Sequence, residues 1–185
     1  MRTIIVVDYD PSWPEAFERV YSTVWPVVCH TALSVEHVGS TAVPGLAAKP
    51  IIDVSVVVRA ESDVPAAVVC LATLGYVHRG NLGIGGREAF ETPDGLPAHS
   101  LYLCPHDSPG LANHLAVRDH LRGHPDIAKE YGELKKRLAA QSPHEIDRYV
   151  DGKTELVLRI LRAAGLPPVR LMEIERGNRK GRPNK

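Results

Sequence analysis

Residues 51–58 read Ile-Ile-Asp-Val-Ser-Val-Val-Val, and six of the eight are β-branched aliphatics. A run of this kind is a strand, and one this apolar is expected to be buried on both faces. Alternation puts Asp53, Ser55 and Val57 on one side of it. A carboxylate in such a strand is costly without a partner, so Asp53 is expected to face a cation, a metal or a set of donors at a cleft. Just upstream stands Gly39-Ser40-Thr41, followed by a loop of small residues and prolines over 42–50. A glycine turn lets backbone amides approach a phosphate, and hydroxyls add donors. A turn of this kind beside a strand-borne acid can hold phosphates with a divalent cation between them. Magnesium takes one or two protein carboxylates in such sites. Here the next residue on the same face is Ser55, a poor substitute for a carboxylate ligand. The residues alone also allow a structural Asp53, bonded to the glycine-serine turn, to Lys49 or to Arg87.

The remaining pattern predicts an α+β chain: a mixed sheet with flanking helices and a helical C-terminal half. Apolar residues Trp13, Phe17, Val20, Tyr21, Val24 and Val28 recur at helical spacing, so a helix is expected over 12–29, capped by Ser12 and kinked or ended by Pro26. Strands are expected at 35–38, 76–78, 87–91 and 99–104, with glycine- and proline-rich turns between the later ones. Asp63 is expected to cap a helix over 64–74 that Gly75 stops. From Pro109 three helices are expected, separated at Gly123-His124-Pro125 and near Pro143 and ended by Gly165. One domain would then cover 1–166, sheet-rich over 1–107 and helical over 108–166. A basic, disordered tail is expected over 167–185. No internal repeat is visible.

Charge and cysteine content narrow the partners. Lysine plus arginine equals aspartate plus glutamate at 22 each, so neither nucleic acid nor a membrane surface is expected as a partner. No apolar stretch is long enough to span a bilayer, and the opening residues do not read as a signal peptide. Cys29, Cys70 and Cys104 lie far apart among apolar neighbours, as reduced core thiols of a cytoplasmic protein would.

Several further side chains are candidates for chemistry. Lys49, at the mouth of the strand, could neutralise phosphate charge. Arg87 offers a planar donor fork for phosphate or carboxylate, with Glu88 and Glu91 as sources of a missing acid. His99 could serve as acid, base or ligand. His114 and Arg118 share a helix face. Tyr149 and Lys153 share another and could reach a triphosphate. Each of these residues also has an ordinary structural reading. There is no HExxH motif and no cysteine pair with zinc spacing.

Four stretches together carry a family resemblance: EHVGSTAVPGLAAKPIIDV, LGYVHRGNLGIGGREAF, HSLYLCPHDSPGLANHLAVRDHLRGHPDIAKEYGELKKRLA and YVDGKTELVLRIL. They resemble the GrpB family, also called UPF0157, from about residue 8 to residue 161. The resemblance implies the nucleotidyltransferase fold, whose enzymes move a nucleoside monophosphate from a triphosphate to an acceptor with magnesium held by acids. It implies triphosphate binding at Gly39 and Ser40, a magnesium ligand at Asp53 and a phosphate contact at Lys153; the residues themselves add Thr41 and Lys49 as phosphate donors. His99 and Tyr102 match a strand of the family; on the residues' own chemistry His99 would take part in catalysis, and Arg87, Tyr102, His114 and Arg118 would bind the acceptor. Many relatives carry a second acid where this chain has Ser55. The expectation is therefore an ATP- and magnesium-dependent nucleotidyltransferase acting on a small polar acceptor. The alternative is a weakened domain that binds a nucleotide or anion as a sensor or accessory subunit. The oligomeric state stays open, a homodimer included.

Overall fold

The computed structural model describes residues 3–179. In chain order the elements are α1 (Trp13–Val28), β1 (Ala32–Val38), β2 (Ile52–Val58), α2 (Val64–Ala72), β3 (Val77–His78), β4 (Glu88–Glu91), β5 (His99–Pro105), α3 (Pro109–Gly123), α4 (Pro125–Gln141), α5 (Ile146–Ala163) and α6 (Pro168–Arg179). This is the expected α+β arrangement with a helical C-terminal half. The five strands form one mixed sheet in the order β1-β2-β5-β4-β3. Only β2 and β5 run parallel; the other neighbours are antiparallel.

The chain divides into two compact units. A sheet unit comprises residues 10–42 and 51–115, and a helical unit comprises 1–9, 43–50 and 116–185. The sequence division into 1–107 and 108–166 follows chain order, whereas packing follows apolar side chains. Val7 pairs with Ala48. Ile4 is buried with Ala139 and Tyr149, and Val43 and Leu46 are buried with Leu121, Tyr131 and Ile160. These two N-terminal segments therefore belong with the helices.

In the sheet unit, α1 buries Val20, Val24 and Val28, and Phe17 stacks on His37 of β1 at 4.7 Å. Pro26 lies inside α1 without ending it. It stands two residues before the helix end, and lacking an N–H it leaves the Ser22 carbonyl without its i+4 backbone partner. Strand β2 is buried at every position except Asp53, which is half-buried. Two expected caps are made differently. Ser12 makes no side-chain cap, and its N–H instead donates to Asp10 Oδ1 at 2.8 Å. Asp63 likewise accepts from the Ala60 N–H at 3.1 Å rather than from its own helix.

In the helical unit, α5 packs on both α4 and α6. A Cβ at Gly152 would lie within 3.0 Å of Leu138 Cδ1, so glycine there lets α5 approach the Leu138 side chain of α4. The tail expected to be disordered from residue 167 instead forms α6. Pro168 suits a first helical turn, and Leu171 is buried, which anchors the helix to the unit. Residues 180–185 of that tail lie outside the described residues. No helix among the described residues is long and apolar enough to cross a membrane.

Candidate functional site

Strand register decides which side chains share a face. Along β2, Asp53 pairs with Ser100 of β5, Ser55 with Tyr102, and Val57 with Cys104. On the other side Asp53 pairs with Val38 and Ser55 with Glu36. Paired residues project to the same side of a sheet. Asp53, Ser55, Glu36, Ser100 and Tyr102 therefore stand on one face. Ala89 of β4 pairs with Tyr102 and joins them. The opposite face carries His37, Val54, Val56, His99, Leu101 and Leu103.

Gly39 closes β1 with a φ of 72°, a left-handed value that disfavours any Cβ. A methyl built on it would lie 3.0 Å from Cβ and Cγ of Asp53 and would overlap Asp53 Oδ2. The carboxylate is thus packed directly against the backbone of the Gly39-Ser40 turn. That close approach is the core of the site. Thr41 does not share it. Its side chain is buried, and its hydroxyl is bonded to His37 Nε2 at 3.0 Å. That bond engages the hydroxyl on the His37 side of the turn.

Next to Asp53, Ser55 is fully buried and lies 3.4 Å from His114 Nδ1. The His114 ring sits 5.5 Å from that of Tyr102, and the Arg87 guanidinium lies over Tyr102 at 4.4 Å. Arg87, Tyr102 and His114 are thereby brought together on the Asp53 face. Burial, aided by the Arg87 charge, pushes the His114 pKa down to about 4, so its imidazole is neutral near pH 7. Burial also raises the Tyr102 hydroxyl pKa, with the Asp53 charge adding to the shift and Arg87 opposing it. Asp53 and Arg87 thus act electrically on one tyrosine.

His99 is corrected. It pairs with Ile52, not with Asp53, so its ring lies on the opposite face. Both nitrogens are occupied there: Tyr76 Oη lies 2.7 Å from Nε2 and the Pro97 carbonyl 2.7 Å from Nδ1. Burial lowers its pKa. It is a buried structural histidine. Glu88 and Glu91 are likewise taken, by His78 at 2.6 Å and by Arg79. Neither supplies a second acid.

Arg118 lies one turn beyond His114 on α3, but within the helical unit. It donates to Asp119 Oδ1 at 2.7 Å. Lys49 and Lys153 meet within the helical unit, with their ammonium groups 5.5 and 5.2 Å from the Tyr149 ring. Lys135 lies 4.5 Å over Tyr131 in the same unit and is nearly fully buried. A 160 Å³ cavity in this unit is lined by Asp8, Gly45, Lys129, Glu133 and Lys136, among others, and by none of the candidate residues.

Sequence reasoning missed Glu36. Counting alternation back from Val38 places it with the face-bearing residues, but only the β1–β2 register shows that this is the Asp53 face. It also missed the pair His120 and His124, whose four-residue spacing is visible in the sequence. Their rings stack at 4.0 Å. They make no preformed metal cage, since no group of three potential metal-ligating side chains occurs among the described residues.

A mixed sheet with a Gly-Ser turn pressed on a strand-borne aspartate has the fold of the nucleotidyltransferases. Cid1 poly(U) polymerase in its MgGTP-bound form superposes with a TM-score of 0.54 at 10% identity, covering 83% of this chain and 50% of that one. At that identity the likeness concerns fold alone. The profile of the GrpB protein family matches residues 3–163, and the chain belongs to that family. The crystal structure of the conserved protein GrpB from Enterococcus faecalis is similar, with a TM-score of 0.77 at 37% identity over 86% of this chain and 96% of that one. The UPF0157 protein YqkA of Bacillus subtilis is 36% identical over 156 residues, 84% of this chain, and this chain spans 46% of its length.

Proposed function

We propose that the chain is a nucleotidyltransferase-like enzyme that moves a nucleoside monophosphate from a triphosphate, ATP in the first instance, to a small polar acceptor. The observation that carries this reading is the contact of the Asp53 carboxylate with the Gly39 backbone. It sets an acid beside a turn able to cradle phosphate. Gly39 and Ser40 would hold phosphate oxygens through backbone amides and the Ser40 hydroxyl.

Magnesium is part of the proposal, and the donor set supports a limited form of it. Asp53 is half-buried on the face, and Glu36 stands one strand over and two residues along. Two carboxylates suit a hard cation that keeps water and substrate phosphate oxygens as its other ligands. They do not suit a site built wholly from protein. When bound, magnesium would offset the charge of the phosphates. The protein's part would be positioning by the turn and charge placement by Asp53 and Arg87.

A second reading has its own support. Ser55 occupies the position of a second strand acid, fully buried and beside neutral His114. The domain would then bind nucleotide without turning it over.

The deciding experiment is calorimetric titration of wild type and Asp53→Ala with ATP, with and without magnesium. Magnesium-dependent binding by wild type that Asp53→Ala removes is the expected result. No binding by wild type, or the same magnesium dependence in both, would sink the proposal. Labelled-nucleotide turnover by Ser55→Asp separates the two readings: increased turnover favours the enzyme, whereas binding without turnover in either form favours the binding module.

A further inference from the structure

Arg87 is the most unusual charge in the sheet unit. It follows Gly86, whose φ is 70° and where a Cβ would come within 2.9 Å of Ser108 Cβ. The start of α3 is therefore pressed onto this point of the chain, and a Cβ added at Gly110 would lie 3.4 Å from Arg87 Cβ. The guanidinium is laid over the Tyr102 ring at 4.4 Å, which fixes its plane. Its Nε is shielded from solvent and has no hydrogen-bond partner. No ion pair is made by Arg87 among the described residues. The neighbouring His114 is neutral and offers no charge. The first turn of α3 adds the positive end of a helix dipole nearby.

A desolvated guanidinium donor without an acceptor is costly unless something supplies one. On this face Asp53 is one strand across and two residues along from Tyr102. That offset is about 5 Å across and about 7 Å along, roughly 8 Å between backbones. Arg87 thus stands beside the proposed transfer site without being part of its phosphate turn. Its planar fork matches an oxyanion with two oxygens to present.

We infer that Arg87, held on Tyr102 at the start of α3, is the binding site for an oxyanion, a carboxylate or a phosphate, carried by the second substrate. The inference rests on the proposed transfer reading for the word substrate, but the anion site stands on its own geometry. Neutral acceptors, such as unmodified sugars, would then be poor substrates.

The test follows the Arg87 Nε–H signal by NMR in the full chain while inorganic phosphate or acetate is added without nucleotide. A saturable downfield shift with either anion is expected, and the more effective anion identifies the class. Arg87→Met should weaken the anion-induced rise in Tm at least about tenfold in apparent affinity, as the loss of a charged hydrogen bond implies. Arg87→Lys should restore part of it. Asp53→Ala should lose magnesium-ATP binding and keep the anion effect. The inference is overturned if the Arg87 signal does not move with either anion, or if Arg87→Met is stabilised by them as wild type is. If the signal responds but wild type binds no magnesium-ATP, the transfer reading fails and the anion site remains.

Discussion

Replacing Gly39 with alanine tests the core of the site most directly. Two costs are separable. The first is backbone strain: a φ of 72° is left-handed, which costs a residue with a Cβ about 1–2 kcal/mol. For a chain of this size, each kcal/mol lowers Tm by about 2–4 °C, so a fall of about 2–8 °C is expected. The second cost is local. The new methyl would lie 3.0 Å from Asp53 Cγ, where ordinary contact begins at 3.4 Å, so the carboxyl carbon must move by at least 3.4 − 3.0 = 0.4 Å. Asp53 Oδ2, which is overlapped more deeply, must swing further. A displacement approaching 1 Å at a reacting centre can cost about a hundredfold in rate, and magnesium-dependent ATP binding should weaken at least about tenfold on the same ground. Gly95→Ala is the control. Gly95 has a φ of 90° with nothing within 4 Å of its missing Cβ. It should suffer a similar thermal loss and keep nucleotide binding. Differential scanning fluorimetry and calorimetric titration on both variants supply the two readouts. If Gly39→Ala binds as wild type does, or if Gly95→Ala loses binding equally, the carboxylate-on-turn argument is wrong.

Three further outcomes are expected. His114 has its pKa pushed from 6.5 down to about 4. Between those pH values the unfolded chain holds a proton that the folded chain refuses. The folded state therefore keeps its full stability above about 6.5 and loses on the order of 3 kcal/mol as pH falls toward 4. Urea melts of wild type and His114→Gln from pH 7 to pH 4.5 should show a flatter dependence in the variant, and parallel curves would refute the assignment. Tyr76→Phe leaves buried His99 Nε2 without its 2.7 Å partner, at a cost of about 1–3 kcal/mol. Because His99 faces away from Asp53, nucleotide binding below the variant's melting range should match wild type, and a loss of binding would return His99 to the site. Cys104 is fully buried, with its thiol pKa raised by burial to about 11. Iodoacetamide should label Cys29 and Cys70 in the native protein and Cys104 only after unfolding, as read by peptide mass spectrometry; native labelling of all three at one rate would contradict that burial.

The part of the site that lies along one strand was legible in the sequence. Alternation over 51–58 placed Asp53 and Ser55 together, and the glycine ahead of Ser40 marked the turn. Groupings across strands were less secure. His99 and Tyr102 were both assigned to the site, yet residues three apart on one strand point to opposite faces. Parity alone was enough to separate them. Glu36 needed more, because its place beside Ser55 depends on the register set by the loop between β1 and β2, and spacing does not encode that. Thr41 looked like a donor because it adjoins Ser40, but only packing shows that its hydroxyl turns back to His37. The helical tail was hidden by its charge. One buried leucine, Leu171, outweighs a polar composition once a neighbouring helix offers it a surface.

The parallel pairing of β2 with β5 has a bearing on how the molecule is made. Ile52 meets His99, 99 − 52 = 47 positions later in the chain. During synthesis, β1 and β2 can pair as soon as they emerge, but β2 then waits with one edge bare. That edge belongs to a strand of Val and Ile, the composition most prone to pair with another copy. At roughly 5–20 residues per second, the wait lasts several seconds. The stretch that marks the family thus also carries a bare β-branched edge until β5 is made. Fragments that end before residue 99 should be insoluble even though they contain the whole Gly-Ser and Asp53 signature.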